Sequence, residues 1–173
     1  MKMNENKSQQ ILKYILSWLP AVVIMIIIFC FSAKVANDSA AASGGITKKV
    51  VFIIEHITNI TIEAGSAKYE LIHHLIRKTA HFLEYMALGC AFVLPYANIF
   101  RTKKAKVFII SEITAAFYAC TDEIHQLFVP GRSGNLKDVG LDSLGALAGV
   151  CVGFLIWKII SLLHKTTKIE RIE

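Results

Sequence analysis

The chain has 173 residues, of which 54% are hydrophobic, and its mean hydropathy is +0.51. This length suits one domain, and the hydrophobic fraction exceeds that of an ordinary soluble domain. The formal net charge of +6 is accompanied by no base-stacking or phosphate-binding motif, which argues against nucleic acid as a partner. We therefore predict a single membrane domain over residues 1–173.

Four apolar stretches are long enough to cross a bilayer, whose core needs about 20 mostly apolar residues per helix. They cover about residues 11–31, 79–100, 107–126 and 141–163. The second and third stretches qualify only if their polar outer thirds are tolerated. A soluble helical bundle is the alternative, but the first stretch is uncharged from Ala21 to Phe31. The prediction is an all-α polytopic membrane protein with four transmembrane helices.

Basic residues are concentrated before the first stretch, between the second and third, and after the fourth. They include Lys7, Lys13, Arg101, Lys103, Lys104, Lys158 and Arg171. By the positive-inside rule these three segments lie in the cytoplasm, with both termini. Segment 32–76 is then an extracytoplasmic loop.

Segment 32–76 contains two patterns. Residues 37–45 are small and polar, which predicts a loop with Ser39 or Ser43 available as a helix cap. From Ile46 to Ile60 isoleucine and valine recur at helical spacing. This predicts an amphipathic helix, lying either on the outer leaflet or against the bundle. A further helix is expected to begin near Ser66 and to continue through the second stretch.

The second predicted spanning helix has a polar stripe at its start. Arg77, His81, Glu84 and Tyr85 follow one another at i, i+4, i+7 and i+8, so they share one face of a helix. Lys78 adjoins this stripe. Because unpaired charges are disfavoured in hydrocarbon, the stripe is expected to face the protein interior.

The third and fourth predicted helices have matching polar positions. Asp122, Glu123 and Gln126, with His125 beside them, come at the end of the third, and Arg132 follows Pro130-Gly131. Asp138 and Asp142 begin the fourth helix. They continue into a ridge of small residues at Gly145, Gly149 and Gly153, which permits close helix packing within one chain or between chains.

Two groups of candidate functional residues follow from this arrangement. The candidate catalytic residues are His81, Glu84, Asp122, Glu123 and His125. The candidate ligand-binding residues are Arg77, Lys78, Tyr85, Gln126, Arg132, Asp138 and Asp142. Arginine and lysine at this site would bind a phosphate or carboxylate, or else would compensate the nearby carboxylates.

A divalent metal is a candidate cofactor. Its ligands would come from His81, Glu84, Glu123 and His125, which supply the imidazole and carboxylate groups that such metals use. Acid–base chemistry without a metal is an equal alternative. The remaining alternative is a hydrogen-bonded polar pair that aligns the helices.

As a set, the polar motifs resemble those of the VanZ-like family of bacterial membrane proteins. The matching residues are Phe31-Ser32 and Ser39, Arg77-Lys78-x-x-His81-Phe82-x-Glu84-Tyr85, Asp122-Glu123-Ile124-His125-Gln126, Phe128-Val129-Pro130-Gly131-Arg132, and Asp138, Asp142 and Gly145. The resemblance implies a four-helix domain in the bacterial cytoplasmic membrane. One family member is associated with resistance to the glycopeptide teicoplanin, but the family brings no settled reaction, cofactor or substrate.

Two functional hypotheses remain open from the sequence. In the first, the protein is a membrane-embedded hydrolase or transferase that acts on an amphipathic cell-envelope substrate. In the second, it is a non-catalytic protein that binds or shields a lipid-linked precursor or a lipophilic antibiotic. In both, the partners are the lipid bilayer and a phospholipid or lipid-linked cell-wall precursor. Transport is a weaker option, since no repeated broken-helix pattern is present.

Overall fold

A computed structural model describes residues 2–34, 36–100, 103–132 and 134–169, without the side chains of residues 2–6, 36–42 and 164–169. Within these ranges all regular secondary structure is α-helical, and short connections join the helices. The helices are α1 (Lys2–Ser32), α2 (Ala36–Thr58), α3 (Ala67–Phe100), α4 (Lys104–Gln126) and α5 (Leu136–Ile169). Arg101 and Arg171, which belong to the predicted basic segments, lie outside the described residues, as does the side chain of Ser39.

Within the described residues, three helices are long and apolar enough to cross a membrane: α1, α3 and α5. Helix α4, which contains the third predicted span, is not among them, so the prediction of four spans is not confirmed. Its apolar residues are interrupted by Glu112, Asp122 and Glu123. Large apolar side chains remain exposed along the outside of the helices, for example Ile26, Ile113, Phe117 and Leu155. An apolar surface of this extent is typical of a face that meets lipid.

Helix α3 lies at the centre of the fold and packs most extensively against α5. The predicted ridge of small residues forms this contact within one chain. A Cβ atom at Gly145 would overlap the carbonyl oxygen of Phe82, and one at Gly149 would overlap that of Met86. On α3, Gly89 is equally close to the backbone of Ala146. The two helix backbones therefore approach each other at several successive turns.

Helices α1 and α4 pack on the other sides of α3. Tyr85, Leu88 and Phe92 of α3 form the centre of a buried cluster. Small residues of α4 let this helix approach the same cluster, namely Ala115 and Ala119, both fully buried. The core is thus built on α3, and its polar first turns are held between four neighbouring elements.

Helix α2 begins at Ala36, ten residues before the helix predicted from Ile46, so the predicted loop at residues 37–45 is wrong. Alanine is the best helix former, and residues 40–42 are all alanine. The Gly44-Gly45 pair weakens a helix, but a contact of the neighbouring Ser43 holds this part of α2 against α3. The Ser43 Oγ and His73 Nε2 atoms are 2.7 Å apart, joining α2 to α3. Ser43 therefore lies inside a helix instead of capping one.

From the sequence, α2 could lie on the outer leaflet or against the bundle. In the structure one of its faces packs against the bundle and the other is open. Thr47 and Val51 are buried against the rest of the protein, whereas Ile46, Ile53 and Ile57 are exposed. The helix ends at Thr58, and Asn59 follows with a φ of 53°. This left-handed conformation is common after helix C-termini, where asparagine tolerates it. One side of α2 thus contacts the bundle, while its predicted isoleucine stripe is left open.

The connection between α4 and α5 folds back over the end of α4. Helix α4 ends at Gln126, where the third predicted stretch also ends, and Gly131 adopts a φ of 76°. Gly134 passes so close to the Glu123 carbonyl that a Cβ atom there would lie 2.6 Å from it. Asn135 then caps α5 by accepting a hydrogen bond from the Lys137 N–H at 3.0 Å.

Candidate functional site

Four segments meet at one end of the bundle: the C-terminal ends of α1 and α4, the first part of α3 and the start of α5. A polar cavity of about 290 Å³ lies here, lined by residues of α3, α4, α5 and the connection between α4 and α5. Its lining includes Arg77, Lys78, His81, Glu123, Gln126 and Arg132. Residues of the two predicted polar faces are therefore brought together at the same height.

A second, apolar-walled cavity of about 210 Å³ adjoins the first. Its apolar walls are Phe31 of α1, Ile46 of α2, and Ile76 and Ala80 of α3. Lys34 and Glu84 contribute charged groups to the same lining. Arg77, His81 and Arg132 line both cavities, so the two spaces have a common charged boundary.

Glu123 is bound to the start of α5. Its Oε2 atom accepts a 2.8 Å hydrogen bond from the Asn135 N–H, and its Oε1 atom accepts a 3.2 Å bond from Gln126 Nε2. A carboxylate at a helix N-terminus is stabilised by the helix dipole. Glu123 thereby connects α4 to α5, and each oxygen of its carboxylate already accepts a hydrogen bond.

Asp122 is bound to α1. Its Oδ2 atom accepts hydrogen bonds from Ser32 Oγ at 2.8 Å and from Gln126 Nε2 at 3.0 Å. Asp122 and Ser32 are both buried, where a carboxylate requires hydrogen-bond donors. Ser32 was noted in the sequence only as part of the family resemblance, and its partner is 90 residues away.

Arg132 is held by groups of the protein itself. Its N–H groups donate to the carbonyls of Phe31 and Lys34, both at 3.1 Å, and to Gln126 Oε1 at 3.3 Å. Burial lowers the pKa of Arg132, Arg77 adds to the lowering, and nearby carboxylates oppose it. The carbonyls at the end of α1 lack helical partners, so Arg132 caps that helix.

The other two cations of the polar cavity differ in their pairing. Lys78 forms an ion pair with Asp138, which joins α3 to α5. For the Arg77 guanidinium, no hydrogen bond or ion pair is found within the described ranges of the chain. Among the three cations of the polar cavity, Arg77 is therefore the one whose charged group makes no hydrogen bond or ion pair with the described residues.

His81 and Glu84 form a pair on α3 whose Nδ1 and Oε2 atoms are 3.6 Å apart. Both side chains are partly exposed, and both line the apolar-walled cavity. The described part of the chain contains no cluster of three or more histidine, cysteine or acidic residues that could hold a metal ion. The candidate metal ligands His81, Glu84, Glu123 and His125 thus do not converge on one site here.

Four predicted site residues are placed away from the cavities. His125 faces α1, where its ring stacks on Phe29 with 4.6 Å between the ring centroids. Tyr85 is fully buried in the core cluster, Asp142 is 1% exposed, and Asp122 is buried against Ser32 of α1. None of these four lines either cavity. The structure therefore does not bring His125 to His81 and Glu84, as the sequence reasoning had expected.

Several residues of the site carried no catalytic or binding prediction. Lys34, His74 and Asn135 line the cavities, and Ser32 and Ser43 contact their neighbours across helices. Asn135 stands just before the polar start of the fourth apolar stretch, where a helix cap is expected, so this position was accessible to sequence reasoning. The positions of Lys34 and His74 depend on how α1, α2 and α3 pack.

An all-helical protein with an apolar outer surface and a charged site at one end of its bundle is, by class, a membrane protein. The chain belongs to the VanZ/LLP1 family, whose model matches residues 17–160. This match confirms the resemblance drawn from the motifs. Comparison with curated proteins and with solved structures gives no match.

Proposed function

We propose that this protein binds an amphipathic cell-envelope ligand through its anionic group, which occupies the polar cavity next to Arg77. The observation that carries this proposal is the pairing of the charges around the cavity. Lys78 is paired with Asp138 and Arg132 is bonded to backbone carbonyls, whereas Arg77 has no such partner among the described residues. A planar guanidinium binds a phosphate or carboxylate with two parallel hydrogen bonds.

The proposal includes a location for the site in the bacterial cytoplasmic membrane. We propose that α4 also crosses the membrane, which gives four spans with α1, α3 and α5, although its hydropathy is lower than theirs. Its charged residues Asp122 and Glu123 are buried, while Ile113 and Phe117 are exposed on its other side. With four spans, the positive-inside rule places the basic link between α3 and α4 in the cytoplasm. The cavities, at the opposite end of α4, then open on the extracytoplasmic side.

A binding or shielding role is supported by the state of the carboxylates. Asp122 and Glu123 accept hydrogen bonds from Ser32, Gln126 and Asn135, as parts of the scaffold do. In this proposal the ligand is a phospholipid, a lipid-linked cell-wall precursor, or a lipophilic glycopeptide such as teicoplanin. The family resemblance is what brings glycopeptide resistance into consideration.

A second function, a membrane-embedded hydrolase or transferase, is favoured by one observation. His81 and Glu84 form an imidazole–carboxylate pair at the cavity, and no other hydrogen bond or ion pair engages these two side chains in the described residues. Such a pair can transfer a proton to or from a bound substrate. Asp122 and Glu123 would then act as scaffold residues, and His125, which stacks on Phe29 of α1, would take no part.

The proposal is tested by measuring binding of dioleoylphosphatidylglycerol to the purified protein by native mass spectrometry. We expect Arg77→Gln to weaken this binding about tenfold, the loss of one charge-assisted hydrogen-bonding group. The matched control is Lys137→Gln, which removes an exposed cation that lines neither cavity. Equal binding by both variants and the wild type would contradict the proposal.

The same preparation separates binding from catalysis. A His81→Gln, Glu84→Gln double variant keeps the size of both side chains but removes the acid–base pair. An enzyme would lose turnover of an envelope lipid and retain the bound lipid. A binding protein would show no turnover in either form. Teicoplanin susceptibility would then change in the Arg77→Gln variant and not in the double variant.

A further inference from the structure

We infer that the two cavities form one bipartite site for a membrane phospholipid, with the phosphate at Arg77 and an acyl chain in the apolar-walled cavity. This inference rests on the proposed function, because it assumes an anion at Arg77. It goes further by naming the ligand class and the surface that holds the hydrocarbon. It also assigns α2 a role in binding.

The first argument is continuity. Arg77, His81 and Arg132 belong to the linings of both cavities, so a molecule bound at Arg77 can extend in either direction. Arg132 is held in place by its bonds to α1 carbonyls. The boundary between the cavities is therefore a fixed charged surface, and its only cation without a direct partner in the described residues is Arg77.

The second argument is the difference between the two linings. The polar cavity is bordered by α4 and α5, which supply Glu123, Gln126 and Asp138. The other cavity is bordered instead by Phe31, Ile46, Ile76 and Ala80. Phe31 and Ile46 are 45% and 56% exposed, so they present apolar surface that a hydrocarbon chain would cover. Covering such surface contributes about 25 cal/mol per Å².

The third argument is net charge. With histidines counted as neutral, the two linings together contain one more cation than carboxylates. The cations are Lys34, Arg77, Lys78 and Arg132, and the carboxylates are Glu84, Glu123 and Asp138. A ligand with a single negative charge complements this excess. Among membrane lipids, those with a phosphodiester and no headgroup cation carry a single negative charge. The phosphodiester lies at the level where spanning helices end.

The experiment compares two ligands with the same headgroup. Dioleoylphosphatidylglycerol carries both the phosphodiester and acyl chains, whereas glycerophosphoglycerol is the same headgroup without chains. We expect the lipid to bind the wild-type protein at least about a hundredfold more tightly, because burying a chain adds several methylene contributions. Dioleoylglycerol, which has the same chains and no phosphate, reports in competition the binding that depends on the chains alone.

Matched substitutions locate the acyl chain. Ala80→Phe fills the apolar-walled cavity, whereas Thr79→Phe adds the same ring at the preceding exposed position, outside both linings. We expect Ala80→Phe to weaken lipid binding about tenfold and to leave glycerophosphoglycerol binding unchanged, with Thr79→Phe within about twofold of wild type. On α2, Ile46→Trp is the second blocking variant and Ile53→Trp its control.

The outcomes separate this inference from the proposed function. If Arg77→Gln weakens binding but Ala80→Phe and Ile46→Trp do not, an anion binds at Arg77 and the bipartite site is wrong. Equal affinity for the lipid and for glycerophosphoglycerol would also overturn it, since the site would then recognise a soluble phosphodiester. If Arg77→Gln changes the binding of neither ligand, the proposed function fails as well.

Discussion

At the scale of single residues, the main result is that similar side chains have different roles at one site. Arg77 and Arg132 were predicted, with Lys78, as ligand-binding cations. In the structure Arg132 caps α1 through the carbonyls of Phe31 and Lys34, and Arg77 makes no hydrogen bond in the described residues. Sequence spacing shows that a charge is near a site, but it does not show which groups already satisfy that charge.

This difference predicts unequal effects of the same substitution. Arg132→Lys should lower the free energy of unfolding by about 2 kcal/mol, because an ammonium group cannot reach both α1 carbonyls and Gln126 in the fork geometry of a guanidinium. Arg77→Lys is the matched control and should leave stability within about 0.5 kcal/mol of wild type. Thermal unfolding of the detergent-solubilised proteins measures both. Destabilisation by Arg77→Lys that equals that of Arg132→Lys would show that Arg77 also has a structural partner.

At the scale of helices, the close contact between α3 and α5 holds the site together. Gly145 and Gly149 pack against the backbone of α3 at Phe82 and Met86, next to the polar turns that line the cavities. The four-residue spacing of these glycines predicted close packing, and the structure shows that the partner helix is in the same chain. Because α5 also contains Asp138, which pairs with Lys78, a shift of this helix would open the polar cavity.

The glycine contact provides a second stability prediction. Gly149→Ala should destabilise the protein by about 2 kcal/mol, since the added methyl group overlaps the backbone at Met86 and the helices must separate. Gly140→Ala lies in the same helix with nothing within 4 Å of the added atom. It should be neutral or stabilising by up to about 1 kcal/mol, because alanine is the better helix former. Melting temperatures that fall equally for both variants would argue against a specific contact at Gly149.

At the scale of the whole molecule, the position of α4 decides which side of the membrane the cavities face. The acidic residues Asp122 and Glu123 of α4 are buried, so the average hydropathy of this helix underestimates the apolar surface that it presents outward. If α4 crosses the membrane, its two ends lie on opposite sides. Helix α2 then lies on the same side as the cavities, with its exposed isoleucines at the outer leaflet.

Single-cysteine labelling tests this topology. In a variant without the four native cysteines, we expect Lys49→Cys in α2 and Lys137→Cys at the start of α5 to react with a membrane-impermeant maleimide in intact spheroplasts. Lys104→Cys at the start of α4 should react only after permeabilisation, because it belongs to the basic link between α3 and α4, which the positive-inside rule places in the cytoplasm. All three positions are exposed. Reaction of Lys104→Cys and Lys137→Cys on the same side would show that α4 does not cross.

The sequence by itself determined the helical class, the membrane character, the family and most of the residues that carry charge at the site. These properties depend on local composition and on helical spacing, which can be read without knowing the fold. The start of α2 was predicted too late because the glycine pair disfavours a helix, and the contact between Ser43 and His73 that ties this part of α2 to α3 cannot be read from the sequence. His125 was placed wrongly for a similar reason, since its neighbour Phe29 is far away in the chain.

Only the tertiary structure decided which charges are neutralised and which are left for a ligand. The bonds of Asp122 to Ser32, of Glu123 to Asn135 and of Arg132 to the end of α1 join different helices. The packing of backbones at the glycine ridge sets these partners, whereas the spacing of polar residues along one helix shows only which of them share a face. For that reason the polar site was predictable, but Arg77 as its available cation was not.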